Sequence, residues 1–280
     1  MLWLVIRASF GVVMLAIAGF GCGAWIANVL PTTCNRIERV GISLLGGLGI
    51  FSLTLFLIGQ ISFSQPIIVT TVGAAVLLSA RPVWRALRNL KFAQMTTRDA
   101  FIPCLIVLIV LVLTAVAGIA EITGDWNQDA VAYHLLGPTV WLREGVIRPV
   151  LDNSHTAFPQ IPEALFAVLL AVGGSRAPDF SSWLTLGLLL LICAGFAMRM
   201  GLTASQGWWV AAIVATMPAV YAGSHNCFVD GVYAALILAA ARIGFDAENI
   251  RGWAIFGVFC GLAMGTKYTG LLAVPALAIC

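Results

Sequence analysis

Three short polar clusters stand out in a chain that is otherwise apolar. The first reads Glu121-Ile-Thr-Gly-Asp125-Trp-Asn-Gln-Asp129-Ala-Val-Ala-Tyr133-His134. It continues through Trp141-Leu-Arg143-Glu144-Gly145 and Arg148 to Asp152-Asn-Ser-His155-Thr-Ala-Phe158-Pro159-Gln-Ile-Pro162-Glu163. Asp125 and Asp129 are four residues apart, a spacing that puts both carboxylates on one face if the stretch is helical. Carboxylates at a water-membrane boundary next to Trp126 and Tyr133 suit a general base or can share a divalent cation. They equally suit solvated acids that keep a loop soluble. His134 and His155 offer imidazole nitrogens to a metal or simply hydrogen bonds. Trp126, Trp141 and Phe158 read as members of an interfacial aromatic belt.

The second cluster is Ser224-His225-Asn226-Cys-Phe-Val-Asp230-Gly231, at the start of an apolar run. Asp230 either caps a helix and complements its dipole or marks a functional site, since an ionisable group at the edge of a span is costly to keep. The third is Gly261-Leu-Ala-Met-Gly265-Thr-Lys267-Tyr268-Thr-Gly270. There a lone ammonium ends a small-residue helix, free either to snorkel to headgroups or to neutralise a lipid-borne phosphate.

The elements that must position these clusters are membrane helices. Of 280 residues, 61% are hydrophobic and 10% charged, against roughly 45–50% and about 25% in soluble domains. So few charges cannot cover a soluble globule, which excludes an ordinary soluble enzyme. The net charge of +3 gives no footprint for nucleic acid. Seven cysteines include no Cys-x-x-Cys pair, and Cys22, Cys104, Cys193, Cys260 and Cys280 fall in apolar stretches. They read as small core or lipid-facing residues and not as a disulfide or zinc framework.

Apolar runs cover Met1 to about Leu30, then about 40–59, 66–80, 101–120, 163–174, 181–198, 207–222, 228–245 and 253–265, with a last one from about Thr269 to Cys280. The fold class expected is an all-α integral membrane protein, a polytopic bundle of about nine to ten membrane helices with one large extracytoplasmic loop containing short helices. The basic stretch Arg81, Arg85, Arg88, Lys91 and Arg98 is placed in the cytoplasm by the positive-inside rule. The loop Glu121 to Pro162 is then extracytoplasmic. Residues 1–98 read as N-terminal membrane helices of unassigned role plus the basic loop, and 99–280 as a second membrane module that carries the three polar clusters. Ending within an apolar run, the sequence reads as truncated at its C-terminus.

Taken in order, the three clusters resemble the GT-C superfamily of polyprenyl-phosphate-sugar glycosyltransferases, which includes protein O-mannosyltransferases and the aminoarabinose transferases of lipid A. In that family an external loop opens with an acidic motif followed by a Tyr, as Asp129 and Tyr133 are arranged here. A Gly turn and an aromatic-Pro segment lead to the next helix, as Gly145 and Phe158-Pro159-Gln160-Ile161-Pro162 do. A Ser-rich turn with an Asp at a helix start resembles Ser224 to Asp230, and a helix end with a Lys near the lipid phosphate resembles Gly261 to Tyr268. The resemblance covers roughly Phe101 to the end. Where aminoarabinose transferases carry Phe-Glu-Lys-Pro-Pro, the Glu and Lys are absent here, and the tandem Asp-Glu of protein O-mannosyltransferases is replaced by Asp129-Ala130.

The resemblance implies a membrane glycosyltransferase in a cell membrane, a bacterial inner membrane by expectation, with an extracytoplasmic active site. The donor would be a polyprenyl-phosphate-linked sugar, and the acceptor a hydroxyl of a glycan, lipid or protein. Asp129 would be the base, with Asp125 orienting acceptor or a divalent cation. Lys267, helped by Arg143 or Arg148, would stabilise the lipid phosphate, and Tyr133, His134, His155 and Asp230 would complete the pocket. No nucleotide is expected, in keeping with the lack of a Gly-x-x-x-x-Gly-Lys loop. The other classes compatible with the residues are a transporter or lipid flippase, an O-antigen ligase or polymerase, and a structural membrane subunit. Strict crossing parity would put Asp230 and Lys267 in the cytoplasm, whereas the resemblance requires them outside. An incomplete span between Pro162 and Gly223 reconciles the two.

Overall fold

The computed structural model describes residues 2–88, 98–120, 129–151 and 153–279. Every regular element among them is helical. The α-helices are α1 (Leu2–Gly23), α2 (Ile26–Val29), α3 (Arg36–Gly59), α4 (Gln65–Arg88), α5 (Phe101–Ala120), α6 (Leu136–Glu144), α7 (Ile161–Gly173), α8 (Ala177–Arg199), α9 (Ala204–Thr216), α10 (Pro218–Gly223), α11 (Asp230–Phe245), α12 (Ile250–Thr266) and α13 (Gly270–Ile279). Five segments are long and apolar enough to cross a bilayer: Leu2–Val29, Arg36–Gly59, Gln65–Arg85, Phe101–Ile119 and Ala177–Arg199. Many of their large apolar side chains face outward, including Leu77, Leu78, Phe101, Leu108 and Val116, as lipid-facing positions require. The first apolar run is broken between α1 and α2. The run at 207–222 is broken at Met217, because Pro218 supplies no amide to continue α9 and instead opens α10.

The helices form a bundle with two chemically different ends. At one end the starts of α3, α9 and α12 meet the ends of α8 and α11. Asn35 and Glu38 close a reciprocal capping box on α3. Glu38 also takes Arg242 Nε at 2.5 Å, and Arg242 Nη1 reaches Asp246 Oδ2 at 2.9 Å. Arg199 grips the same Asp246 carboxylate with two bonds of 2.9 and 2.7 Å, and the Thr33 hydroxyl completes it. Ser205, in the first turn of α9, donates to the Asp99 carbonyl just before α5, which places the start of α5 at this end too. At the opposite end, the Phe63 and Ile147 amides donate to Gly145 and Gly59 at 2.6 and 2.8 Å. These bonds tie the α3–α4 turn to the segment after α6.

Glycine sets how tightly α1 and α3 pack. A Cβ on Gly19 or Gly23 would collide with Leu48 or the Ser43 carbonyl, so the two antiparallel backbones approach as small-residue membrane interfaces do. A single apolar core built around Leu15, Ile42, Leu45, Leu169, Ile192, Leu236 and Phe259 joins α1, α3, α7, α8, α11 and α12.

Helix α7 begins and ends in one half of the bundle. Its 13 residues make a rod of about 20 Å at 1.5 Å per residue, short of the ~30 Å hydrocarbon core. It begins beside α3, where the Ser52 hydroxyl meets the Ile161 carbonyl. It ends against Gly11 of α1, in the same half of the bundle, and Arg7 caps its last carbonyls through Val172 and Ala171. Gly174, at φ 86°, then turns the chain directly into α8. In the first turn of α8, Asp179 accepts from Cys227 Sγ at 2.8 Å, close to the start of α11. The chain therefore enters and leaves α7 at one end, the arrangement that the parity argument requires between Pro162 and Gly223.

Arg242 and Glu38 are both fully buried, so removing one charge strands the other. Arg242→Met is expected to lower stability by about 3 kcal/mol, read as an earlier midpoint in chemical denaturation of the detergent-solubilised protein. The paired change Glu38→Gln with Arg242→Met recovers much of the loss.

Candidate functional site

At the end opposite the arginine cluster lies an open cleft of about 360 Å³, bounded by Asp129, Tyr133, His134, His155, Phe158, Pro159, Gln160, Glu163, Val229, Thr266, Lys267 and Tyr268. Asp129 stands just before a five-residue π-helical turn, Ala130–His134, closed by the Leu135 amide on the Ala130 carbonyl at 2.8 Å. Such turns are rare and concentrate at functional sites. This one carries the neighbours Tyr133 and His134 in different roles. His134 is buried, with Nδ1 2.7 Å from Glu163 Oε1. Tyr133 stacks on His155 with ring centroids 5.3 Å apart.

The loop after α6 is pinned from several sides. Gly145 adopts the left-handed conformation that ends α6, at φ 71°. Trp141 is buried, donates Nε1–H to the Arg148 carbonyl at 2.8 Å and meets Phe63 edge-on. It belongs to the core and not to an interfacial belt. Asn153 donates to the Ala132 carbonyl at 2.8 Å and caps the short turn carrying His155. Phe158, also read as a belt residue, lies between His155 at 5.3 Å and Tyr268 at 5.4 Å. Tyr133, His155, Phe158 and Tyr268 thus form a continuous aromatic wall.

The opposite wall comes from α11 and α12. Lys267, the residue that ends α12, donates from Nζ to Asp230 Oδ1 at 2.6 Å. Asp230 is the first residue of α11 and directs its carboxylate to Lys267. Gly265 lets α12 come up against the start of α7, because a side chain there would strike Ile161. That approach brings Thr266 and Lys267 beside Gln160 and Glu163. Burial lowers the ammonium's proton affinity, but the bond and charge of Asp230 outweigh it, so the Lys267 pKa lies above the ordinary lysine value. Burial raises the Tyr133 pKa and the charge of Asp129 adds to the effect, with Lys267 acting in the other direction. Tyr133 accordingly stays a neutral phenol at physiological pH.

The structure thus gathers Asp129, Tyr133, His134, His155 and Lys267 around one cleft, with Asp230 attached through Lys267. Asp125 lies outside the described residues. Arg143 and Arg148 do not line the cleft. Arg143 is exposed and 3.7 Å from Glu144, and Arg148 is exposed and contributes its carbonyl to Trp141. Among the polar cleft residues that the reading of the sequence did not assign to the site are Gln160, Glu163, Thr266 and Tyr268. The signal was present: Glu163 is an ionisable residue at the mouth of an apolar run, the criterion that singled out Asp230. Among the described residues no three His, Cys, Asp or Glu side chains form a metal-binding group, and none of the described cysteines forms a disulfide.

Fold and site together define a helical membrane protein with a polar, aromatic-walled cleft at one end of its bundle. No protein-family model, no curated protein and no solved structure matches the chain.

With its pKa raised, Lys267 loses its proton only at higher pH than a free lysine does. Acylation by an amine-reactive ester, mapped by mass spectrometry with Lys91 as the chain's other lysine, is expected to begin at higher pH for Lys267. Asp230→Asn moves its onset down. Identical pH profiles for wild type and variant would remove the ion pair.

Proposed function

We propose that the protein is an integral membrane glycosyltransferase that takes a sugar from a polyprenyl-phosphate carrier and passes it to an acceptor hydroxyl. The observation that carries this reading is that Asp129 and Lys267, far apart in sequence, line one cleft. A carboxylate and an ammonium facing a common space are what an inverting displacement at a glycosyl phosphate needs. Asp129 takes the proton of the acceptor hydroxyl as its oxygen attacks the anomeric carbon. The bond from that carbon to the phosphate oxygen breaks with inversion, and the electron pair leaves with the lipid phosphate. Lys267, held by Asp230, sits where that growing negative charge is stabilised. Arg143 and Arg148 have no part in this reading.

Charge distribution supports an extracytoplasmic cleft. Arg36, Arg39, Arg81, Arg85, Arg88, Arg199, Arg242 and Arg251 belong to the opposite end, which the positive-inside rule assigns to the cytoplasm. The segments α9–α10, α11, α12 and α13 add to the five long helices to give about nine membrane segments, with α7 re-entrant and buried among its neighbours. The clustering of polar groups at one end, away from the bundle's middle, favours an enzyme over a transporter, whose sites lie near the midplane.

Transfer of radiolabelled sugar from defined polyprenyl-phosphate donors in membranes containing the protein tests the reading. Asp129→Asn is expected to abolish transfer, and Lys267→Met to slow it about a hundredfold, the scale of losing one positioned transition-state partner. Equal transfer by wild type and Asp129→Asn would remove Asp129 as base, and no transfer from any lipid donor would overturn the transferase reading.

A further inference from the structure

The floor of the cleft holds two buried polar atoms that have no hydrogen-bond partner among the described residues, Glu163 Oε2 and Gln160 Nε2. Glu163 is 1% exposed and Gln160 5%. Gln160 immediately precedes α7 and Glu163 lies in its first turn, and both line the cleft. Glu163 is not adjustable at will: its other oxygen is held by His134 at 2.7 Å. Gln160 is packed beside Gly137 of α6. Buried polar groups are nearly always paired, and this pair has the opposite hydrogen-bonding senses, an acceptor next to a donor.

That pairing selects a ligand. A phosphate oxygen accepts only and would meet the carboxylate unfavourably, and a bare cation would find the Gln160 amide hydrogens turned toward it. A hydroxyl both donates and accepts, so adjacent hydroxyls satisfy both atoms. The aromatic wall of Tyr133, His155, Phe158 and Tyr268 gives the apolar faces on which a ring's C–H groups rest. The cleft volume falls in the range of small-molecule sites.

We propose that Gln160 and Glu163 form the subsite that grips the hydroxyl groups of the transferred sugar, with His134 as a positioning residue that aims Glu163, and that these two side chains set which sugar is accepted. The proposal rests on the glycosyltransferase reading and extends it from the reacting groups to the identity of the moiety carried. A sugar bearing free neighbouring hydroxyls on the α7 side is the substrate class it names.

Two soluble probes separate the parts of such a donor: octyl phosphate and the octyl diester of a hexose 1-phosphate. Their binding to the full chain in lipid nanodiscs is measured by calorimetry. In wild type the hexosyl diester is expected to bind at least about tenfold more tightly than octyl phosphate, the scale of hydrogen bonds to a buried charged group. Glu163→Gln and Gln160→Leu should each erase most of that gain and leave octyl phosphate affinity unchanged, which also reports that the variants are folded. Absence of the gain in wild type overturns the proposal, as does a gain that survives both substitutions. If Glu163→Gln binds neither probe, Gln160→Leu decides alone: loss of the gain supports the subsite and its persistence overturns it. The transfer assay is independent. Sugar-dependent binding without transfer would remove the transferase reading and leave the subsite, and transfer with unaltered sugar preference in both variants would do the reverse.

Discussion

The geometry of the cleft depends on one helix turning back. α7 has 13 residues, fewer than the roughly 20 of a full crossing, and unlike α9, which has the same length, it begins and ends in one half of the bundle, where Gly174 turns the chain into α8. Had α7 run the full depth, α8 through α12 would each be inverted. Asp230 and Lys267 would then sit at the far end from Asp129. Because the re-entrant backbone is buried between α1, α3, α6 and α8, its polar groups are kept from lipid, the condition under which a half-span is tolerated. Arg7, an interruption in the first apolar run, supplies the donors for its last carbonyls.

The two ends of the bundle manage charge in opposite ways. At the arginine-rich end, Glu38, Arg242 and Asp246 are buried and neutralise one another together with Arg199, whose side chain reaches the surface, so that charge locks three helices together. At the cleft end, Lys267 is 34% exposed and Asp230 62%, and the space beside them is open. A closed network gives up reactivity for rigidity, whereas an exposed pair beside a cleft keeps its charge available to a ligand. The contrast leaves an accessible ion pair beside the cleft at one end and a charge-locked helix junction at the other.

Glycines turn these constraints into contacts. Gly19 and Gly23 let α1 seat against α3, which fixes the platform across which α7 lies. Gly265 lets α12 reach the start of α7, which is what carries Lys267 to Glu163 and Gln160. At each place a side chain would hold two helices apart by more than the cleft can absorb.

Sequence alone determined the helical, membrane-embedded character of the chain, because lipid demands long apolar segments and their composition is visible without coordinates. It also marked Asp129, Tyr133, Lys267 and Asp230 as residues out of keeping with apolar surroundings; an interrupted span between Pro162 and Gly223 was expected only from setting the family resemblance against crossing parity. It misassigned Trp141 to a headgroup belt, since an aromatic residue near a span end looks the same whether it meets lipid or core. It gave Arg143 and Arg148 a place at the phosphate because charge is legible in a sequence and direction is not. Only tertiary structure decided that α7 is the helix that turns back, that His134 faces Glu163 while Tyr133 faces the cleft, and that Gln160 and Glu163 form its floor. Those outcomes depend on which surfaces meet across long separations in the chain, and neither local periodicity nor composition encodes such meetings.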